Sequence, residues 1–404
     1  MQNLDELIQT YGEPDILIDS FNKDEKRYAI WGYAESLHLN REGVYHNGKL
    51  VDEDFSNIFR NILKRWKKEQ KNNQIATVGF LSYEFKDYIY NHIDFNKDKN
   101  NNFPLCWFCK PKTIIEYSLN SNYNNINDEL CLEVLKDIIP LEKYKLKINE
   151  IKNYLKSGDV YQINFTDKKL LRTNANSAFE LYSKLRLLAK PLEGTFIKNN
   201  DFDILSLSPE SLVKVKNGKI ETSPIKGTRP YSKNTKVNEE FKNQLQNSEK
   251  DKAEHLMIVD LLRNDLGKIC KMNSIKVEDL YHIKTFKTIN HMVSKITGKL
   301  NSNVDEFEII RALFPGGSIT GAPKESAMKI IDAIESKPRN IYTGSIGYIK
   351  PNGDMSFNIS IRTLLNYKNQ YEYGIGGGIV WDSDENDEWN EAQHKSKILS
   401  SLIK

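Results

Sequence analysis

The stretch SLSPESLVKVKNGKIETSPIKGTR, Ser206 to Arg229, decides how the rest of the chain is read. Its middle is a hairpin. Leu212, Val213 and Val215 lead into Asn217-Gly218, a strong two-residue turn signal, and Ile220 and Thr222 lead out. At the hairpin's open ends stand an acid, Glu210, and an amine, Lys226, each close to a proline (Pro209, Pro224), with Gly227 following the lysine. Antiparallel pairing brings open ends together, so the two groups are expected side by side. An acid beside a rigidly held lysine suits a reaction in which nitrogen attacks while a leaving group is protonated. On this stretch alone a surface ion pair at a strand end is the simpler reading. The remaining chain reverses that preference.

With 404 residues the chain has room for two ordinary domains or one large two-lobed fold. It is 39% hydrophobic and 28% charged, a globular composition, and its net charge of +3 gives no reason to expect nucleic acid or a membrane surface as partner. The opening MQNLDELIQTYGEPD has neither a basic flank nor an apolar run, so no secretory signal is expected. No apolar segment approaches the ~18 residues that cross a bilayer. Four cysteines fit a reducing, cytoplasmic setting. Cys106 and Cys109 form a CxxC, but Cys131 and Cys270 supply no second pair, and metal or redox chemistry is not expected there.

Along the chain, residues 13–33 read as strand, polar turn and strand, and Ile58, Ile62, Leu63 and Trp66 have helical spacing. ATVGFLSYEF (76–85) reads as a buried strand. Two Asn/Lys-rich stretches, 94–102 and 118–129, read as exposed loops, the second as a lobe boundary. Beyond residue 140 come a helix stopped by Gly158, a strand DVYQINFTDKKLL and a helix ended by Pro191. The charged segment 232–252 reads as solvated. AEHLMIVDLLRNDLGKI is apolar on most sides and reads as a buried helix, and GAPKESAMKIIDAIES as a helix with Pro323 in its first turn. A Pro-Asn-Gly hairpin, the glycine-rich strand YEYGIGGGIV and a closing helix from Glu388 complete the order. Hairpins interspersed with helices, without βαβ alternation, predict an α+β fold of mainly antiparallel sheets.

Candidate chemistry is spread over several elements. Glu388, Glu391 and Lys395 share one face of the closing helix, which is also what a solvated helix with an i,i+4 pair would show. Glu254 enters the apolar helix, where it caps the helix or binds a cation. Glutamates from two helices would make the open oxygen site that Mg²⁺ prefers. Gly374, Gly376, Gly377 and Gly378 weaken a strand unless something must approach its backbone closely. Arg362 can fork onto a carboxylate.

Read in order, SGDVYQINFT, SLSPE, SPIKGTRP, EHLMIVDLLRNDLG, FPGGSITGAPKESAM, RNIYTGSIGY, FNISIRT, GGGIVWDSD and EWNEAQHK resemble the chorismate-utilising enzymes. That group includes the anthranilate, aminodeoxychorismate, isochorismate and salicylate synthases. The resemblance is strong over residues 140–404 and weak before them. It implies the family's fold, mainly antiparallel sheets in a two-lobed sandwich with helices outside. It also implies an N-terminal lobe (1–130) and a chorismate-binding catalytic region (140–404).

Two positions discriminate within the group. Where the isochorismate and salicylate enzymes carry a lysine that activates water, this chain has Gln162, so water is disfavoured as nucleophile. PIKGT, where anthranilate synthases usually read PIAGT, makes Lys226 the mark of the aminodeoxychorismate branch. The resemblance then implies Lys226 as nucleophile, Glu210 as general acid, and Mg²⁺ held by Glu254 and Glu391 with Glu388 in or near the shell. It implies Tyr342 and Arg362 on the enolpyruvyl carboxylate, Gly376, Gly378 and Lys395 on the ring carboxylate, and Thr228 and His291 near the ring. His255 is read as a packing residue. Ammonia would come from a separate glutaminase subunit, since no glutaminase or lyase domain is recognised in the chain. In anthranilate synthases the region matching ILIDS helps form a tryptophan pocket. Ser20 is kept here, but Asp19 replaces the usual glutamate. Two alternatives stay open: anthranilate synthase component I, and a non-catalytic chorismate-binding regulatory subunit.

Overall fold

The computed structural model describes residues 2–22, 24–72, 74–96, 101–119, 129–285 and 289–403. Parts of both expected loops, 97–100 and 120–128, lie outside the described residues.

The decisive hairpin forms as its turn demands. Ser211–Lys216 pairs antiparallel with Lys219–Thr222, and Asn217 (φ 51°) and Gly218 (φ 73°) both take the left-handed conformation of a type I′ turn. From this hairpin one antiparallel path runs through the molecule. On one side lie Ile289–Lys299 and the edge strand Lys276–Thr285. On the other side follow Met355–Asn358, Ser345–Ile349, Thr77–Leu81, Cys106–Glu116 and Tyr28–Leu39. Ile16–Asp19 then carries the path on to Glu193–Lys198, Phe202–Ser208, Thr363–Tyr367, Gln370–Ile379, Gln162–Thr173 and Leu132–Lys136. The fold is the expected α+β architecture built on a large antiparallel sheet.

The beginning and the remainder of the chain are knitted together in this path. Ile16–Asp19 pairs with Glu193–Lys198, and Thr77–Leu81 with Ser345–Ile349. The cores mix in the same way: Phe59, Trp66 and Phe108 share a cluster with Ile310 and Phe314, and Leu17 and Ala29 share another with Leu181 and Leu205. The buried Asp19 carboxylate takes the Arg186 guanidinium (Nε to Oδ2, 2.5 Å) and the Tyr117 hydroxyl (2.9 Å), while the Ser20 hydroxyl donates to Leu192 O (2.7 Å).

Several helices follow their local signals. Phe55–Glu69 starts at Asp54, whose side chain accepts from Ser56 N, and buries Ile58, Ile62, Leu63 and Trp66. Leu141–Ser157 ends at Gly158 in the left-handed conformation (φ 80°). Other expectations need correction. The strand at 76–85 stops at Leu81, and Tyr83–Phe85 turns as a 3₁₀ helix. The charged 232–252 segment is solvated as expected, mostly exposed apart from Asn238 and Leu245, and much of it forms the helix Thr235–Gln246 capped by Asn234. Pro323 caps its helix, Lys324–Ile334, rather than sitting in the first turn. The closing helix is two pieces, Glu385–Lys395 and Lys397–Ser400.

The helix Glu249–Gly267 is not buried all round. His255, Ile258, Val259, Leu262 and Leu266 face the core, but Asp260, Arg263 and Asn264 are exposed and Leu256 remains 41% exposed. Its apolar residues outnumber what one face can bury. No helix among the described residues is long and apolar enough to cross a membrane.

Candidate active site

Glu210 sits at the corner between Phe202–Ser208 and Ser211–Lys216, and only 5% of it is exposed. Its backbone is clamped: the carbonyl accepts from Ile359 N (3.0 Å) and the N–H donates to Ser208 Oγ (3.2 Å). The carboxyl oxygen Oε1 accepts a hydrogen bond from the Ser318 hydroxyl at 3.0 Å. Burial pushes this carboxyl up to about 7, against the pull of Ser318, of the Lys226 charge and of the Ile225 backbone N–H.

Lys226 lies in Ile225–Pro230, opposite Met292, just before an irregularity in the pairing. Gly227 sits there at φ 73°, and a side chain on it would meet Leu245 Cδ1 at 2.8 Å. Burial drives the Lys226 amine below its ordinary value, Lys395 adds to the effect, and Glu254, Glu210 and Glu391 oppose it. The two hairpin ends are thus in each other's field, without a direct ion pair between them among the described residues.

The glycine-rich strand Gln370–Ile379 forms one wall. A Cβ on Gly378 would stand 2.6 Å from Gln162 Nε2 and 3.2 Å from Lys226 Nζ. One on Gly377 would face Glu388 Oε2 at 3.4 Å and Lys395 Nζ at 3.5 Å. A Cβ on Gly376 would stand 2.5 Å from Phe165 O, and one on Gly374 2.0 Å from Cγ of the Tyr342 ring. The bare strand thus presents Gly378 to Lys226 and Gln162 and Gly377 to Glu388 and Lys395 of the closing helix. Gln162 is fully buried, and neither end of its amide finds a protein partner among the described residues.

The three candidate metal ligands approach from two helices. Glu254 and Glu388 have their carboxyls raised by burial, and Glu388 accepts from Ser383 Oγ at 2.6 Å. Glu391 is lowered by Lys395, with which it forms an ion pair of 2.8 Å. Each of Glu254 and Glu388 feels the negative charge of Glu391. Among the described residues, no three His, Cys, Asp or Glu side chains stand gathered as a preformed metal cluster. Lys395 Nζ also donates to Gly376 O at 2.7 Å, so it ties the closing helix to the glycine strand.

The remaining candidates divide. Thr228 Oγ1 and His291 Nδ1 are 2.9 Å apart, and burial together with the Arg362 charge lowers His291 to about 4, leaving it neutral at physiological pH. Arg362 adopts a left-handed backbone (φ 51°), and its carbonyl accepts from Leu207 N. Tyr342 is buried on Gly374, and the charged groups that act on it are Arg339 and Glu335. His255 is packed inside, with Nε2 2.6 Å from Ser294 Oγ. A cavity of about 100 Å³ lies beside Tyr342 and Gly374, and neither Lys226 nor Glu210 lines it.

Residues not singled out from the sequence complete the frame. Arg339 is buried and donates to Ile319 O (2.9 Å), Asn164 O (2.7 Å) and Thr343 Oγ1 (3.2 Å), joining the Ser318 turn to the strand that carries Gln162. Ser318 itself lies in FPGGSITGAPK, whose dense glycine and proline signal a tight turn at which backbone and side chains approach closely.

Comparisons with known proteins agree with this architecture. Residues 131–401 match the family described as chorismate binding enzyme. Aminodeoxychorismate synthase component 1 of Klebsiella aerogenes is 40% identical over 262 residues, which are 65% of this chain and 58% of that protein. The chain thus spans little more than half the length of such relatives. Anthranilate synthase component 1 of Saccharolobus solfataricus is 31% identical over 361 residues, 85% of each. The crystal structure of anthranilate synthase component I from Streptococcus pneumoniae TIGR4 superposes with a TM-score of 0.78 at 24% identity, covering 92% of this chain and 91% of that one, and so shares the fold. A family match over more than half its residues, carried on this fold, makes the chain a member of the chorismate binding enzymes.

Proposed function

We propose that this protein is an aminodeoxychorismate synthase component I, aminating chorismate at C4 with ammonia from a glutaminase partner to give 4-amino-4-deoxychorismate. The observation that carries the reading is Lys226, an amine driven toward its neutral form by burial and lying in the field of the raised carboxyl Glu210. The relatives at 40% identity that bear this name support it.

Neutral Lys226 adds at C2 of the ring, the two ring double bonds each shift one place, and the C4–O bond breaks. Glu210 delivers its proton to the departing oxygen, which leaves as water. Ammonia then adds at C4, the double bonds shift back, and Lys226 leaves C2 as the neutral amine. The new C4 ammonium returns one proton to Glu210, so the enzyme ends as it began and the enolpyruvyl group is kept.

The oxygen-only donors Glu254, Glu388 and Glu391 fit a hard divalent cation, because desolvation raises the half-buried Glu254 and the buried Glu388 and leaves their charge without full compensation. Mg²⁺ held there would anchor the ring carboxylate and draw charge from the ring. Lys395 and the N–H groups near Gly376 and Gly378 would share that carboxylate, and Tyr342 and Arg362 would take the enolpyruvyl carboxylate.

The deciding experiment supplies chorismate, ammonium and Mg²⁺, with and without added aminodeoxychorismate lyase. 4-Aminobenzoate formed only with lyase supports the assignment. A second reading, anthranilate synthase component I, is favoured by the relative that matches 85% of the chain. It requires pyruvate elimination after amination, so fluorescent anthranilate appearing without lyase would establish it.

A further inference from the structure

We infer that Ser318 is a positioning residue for the proton donor: its hydroxyl, 3.0 Å from Glu210 Oε1, reserves that oxygen as an acceptor and leaves Oε2 to carry the proton that is transferred. The inference rests on the functional reading above, in which Glu210 is the acid. A hydroxyl donates one hydrogen, so while Ser318 donates to Oε1 that oxygen is an acceptor and the carboxyl proton belongs on its partner. The choice of oxygen therefore does not depend on the substrate.

The turn that presents Ser318 is itself held. Gly317–Ile319 is a short 3₁₀ turn, Ile319 O accepts from the buried Arg339, and a side chain on Gly317 would strike Leu261 at 2.3 Å. Glu210 is fixed from the opposite side by Ser208 and Ile359. Both partners of the hydrogen bond thus stand on clamped backbone, which is what holding a donor in one orientation requires.

As the proton leaves, the bond becomes charge-assisted and strengthens. Ser318 therefore helps Glu210 release its proton, in opposition to burial. The other groups that act on Glu210 are the Lys226 charge and the Ile225 backbone N–H, and Lys226 feels Glu254, Glu391 and Lys395 in turn. These groups are the same in a Ser318 variant, so a change at Ser318 reads out the one bond.

The test is a carbon-13 titration of the full chain labelled at glutamate side-chain carboxyls, with Glu210→Gln identifying the Glu210 signal. Ser318→Ala is expected to raise the Glu210 midpoint by about one pH unit, and Ser318→Thr to leave it near the wild-type value. Ser318→Cys, a weak donor of similar size, moves it in the same direction as alanine should the alanine variant not fold. In the ammonium-dependent reaction the alkaline limb of kcat shifts by the same amount and kcat falls about tenfold. A midpoint unmoved in the alanine and cysteine variants overturns the inference. Failure of the wild-type protein to consume chorismate overturns the functional reading, while the titration still decides what Ser318 does to Glu210.

Discussion

The Lys226 amine borders the space that a side chain on residue 378 would need: a Cβ there would stand 3.2 Å from Nζ and 2.6 Å from Gln162 Nε2. Both obstacles are the far ends of flexible side chains, so Gly378→Ala folds by pushing them aside. Stability is expected to change by less than about 1 kcal/mol, while chorismate consumption falls at least about tenfold because the amine is displaced. Denaturant unfolding and a rate assay on the same preparation separate the two effects.

Four residues earlier the same strand responds in the opposite way. At Gly374 a Cβ would stand 2.0 Å from Cγ of the buried Tyr342 ring, which has no flexible end to yield. Gly374→Ala is expected to lose about 1–3 kcal/mol of stability. A melting curve indistinguishable from wild type would contradict the packing described.

Lys226→Ala removes the proposed nucleophile while leaving the glycine strand intact. The expected loss in amination is about a thousandfold or more. Intact-mass measurement after chorismate is added, with ammonia withheld, tests the chemistry directly. Wild type should gain the mass of chorismate less water, and the alanine variant should gain nothing.

Glu210 also makes stability depend on pH in a direction that can be worked out. Folded Glu210 holds its proton to about 7, against an ordinary 4.5, so between those values the folded state binds more protons than the unfolded chain. Stability from this group is therefore full below the unfolded value and is lost as pH rises through the folded one, by about 3 kcal/mol. Glu210→Gln removes the titration. Its unfolding free energy should fall less than that of wild type between pH 5 and pH 8, and parallel slopes would refute the account.

Asp19 and Arg186 form a fully buried pair, joined by the Tyr117 hydroxyl. Asp19→Ala strands the guanidinium in the core and is expected to cost about 3–5 kcal/mol. Asp19→Ala with Arg186→Met removes both charges and should recover part of that loss. Urea midpoints of the single and double variants measure the difference.

Much of the fold could be read from local signals because those signals were themselves local. Asn217-Gly218 demands its turn, Asp54 its helix start and Gly158 its helix end, whatever surrounds them. The helix Glu249–Gly267 misled for the converse reason. Its composition states how apolar it is, but only its neighbours decide which side is covered, and Leu256 was left outside. Motif resemblance marked Glu210 and Lys226, whereas Ser318 and Arg339 escaped notice. Their roles are hydrogen bonds across 108 positions, to Glu210, and 175 positions, to Asn164 O, and no spacing rule reaches so far.

The order of strands in the sheet carries a last consequence. The family match begins at residue 131, yet Glu193–Lys198 and Ser345–Ile349 each spend one side on strands that precede it, Ile16–Asp19 and Thr77–Leu81. A fragment cut at the match boundary would carry two raw hydrogen-bonding margins of mostly buried residues, open to any passing chain. The first hundred-odd residues thus act as a molecular hem. Severed from them, the family-matching region would be prone to self-assembly before it could be assayed.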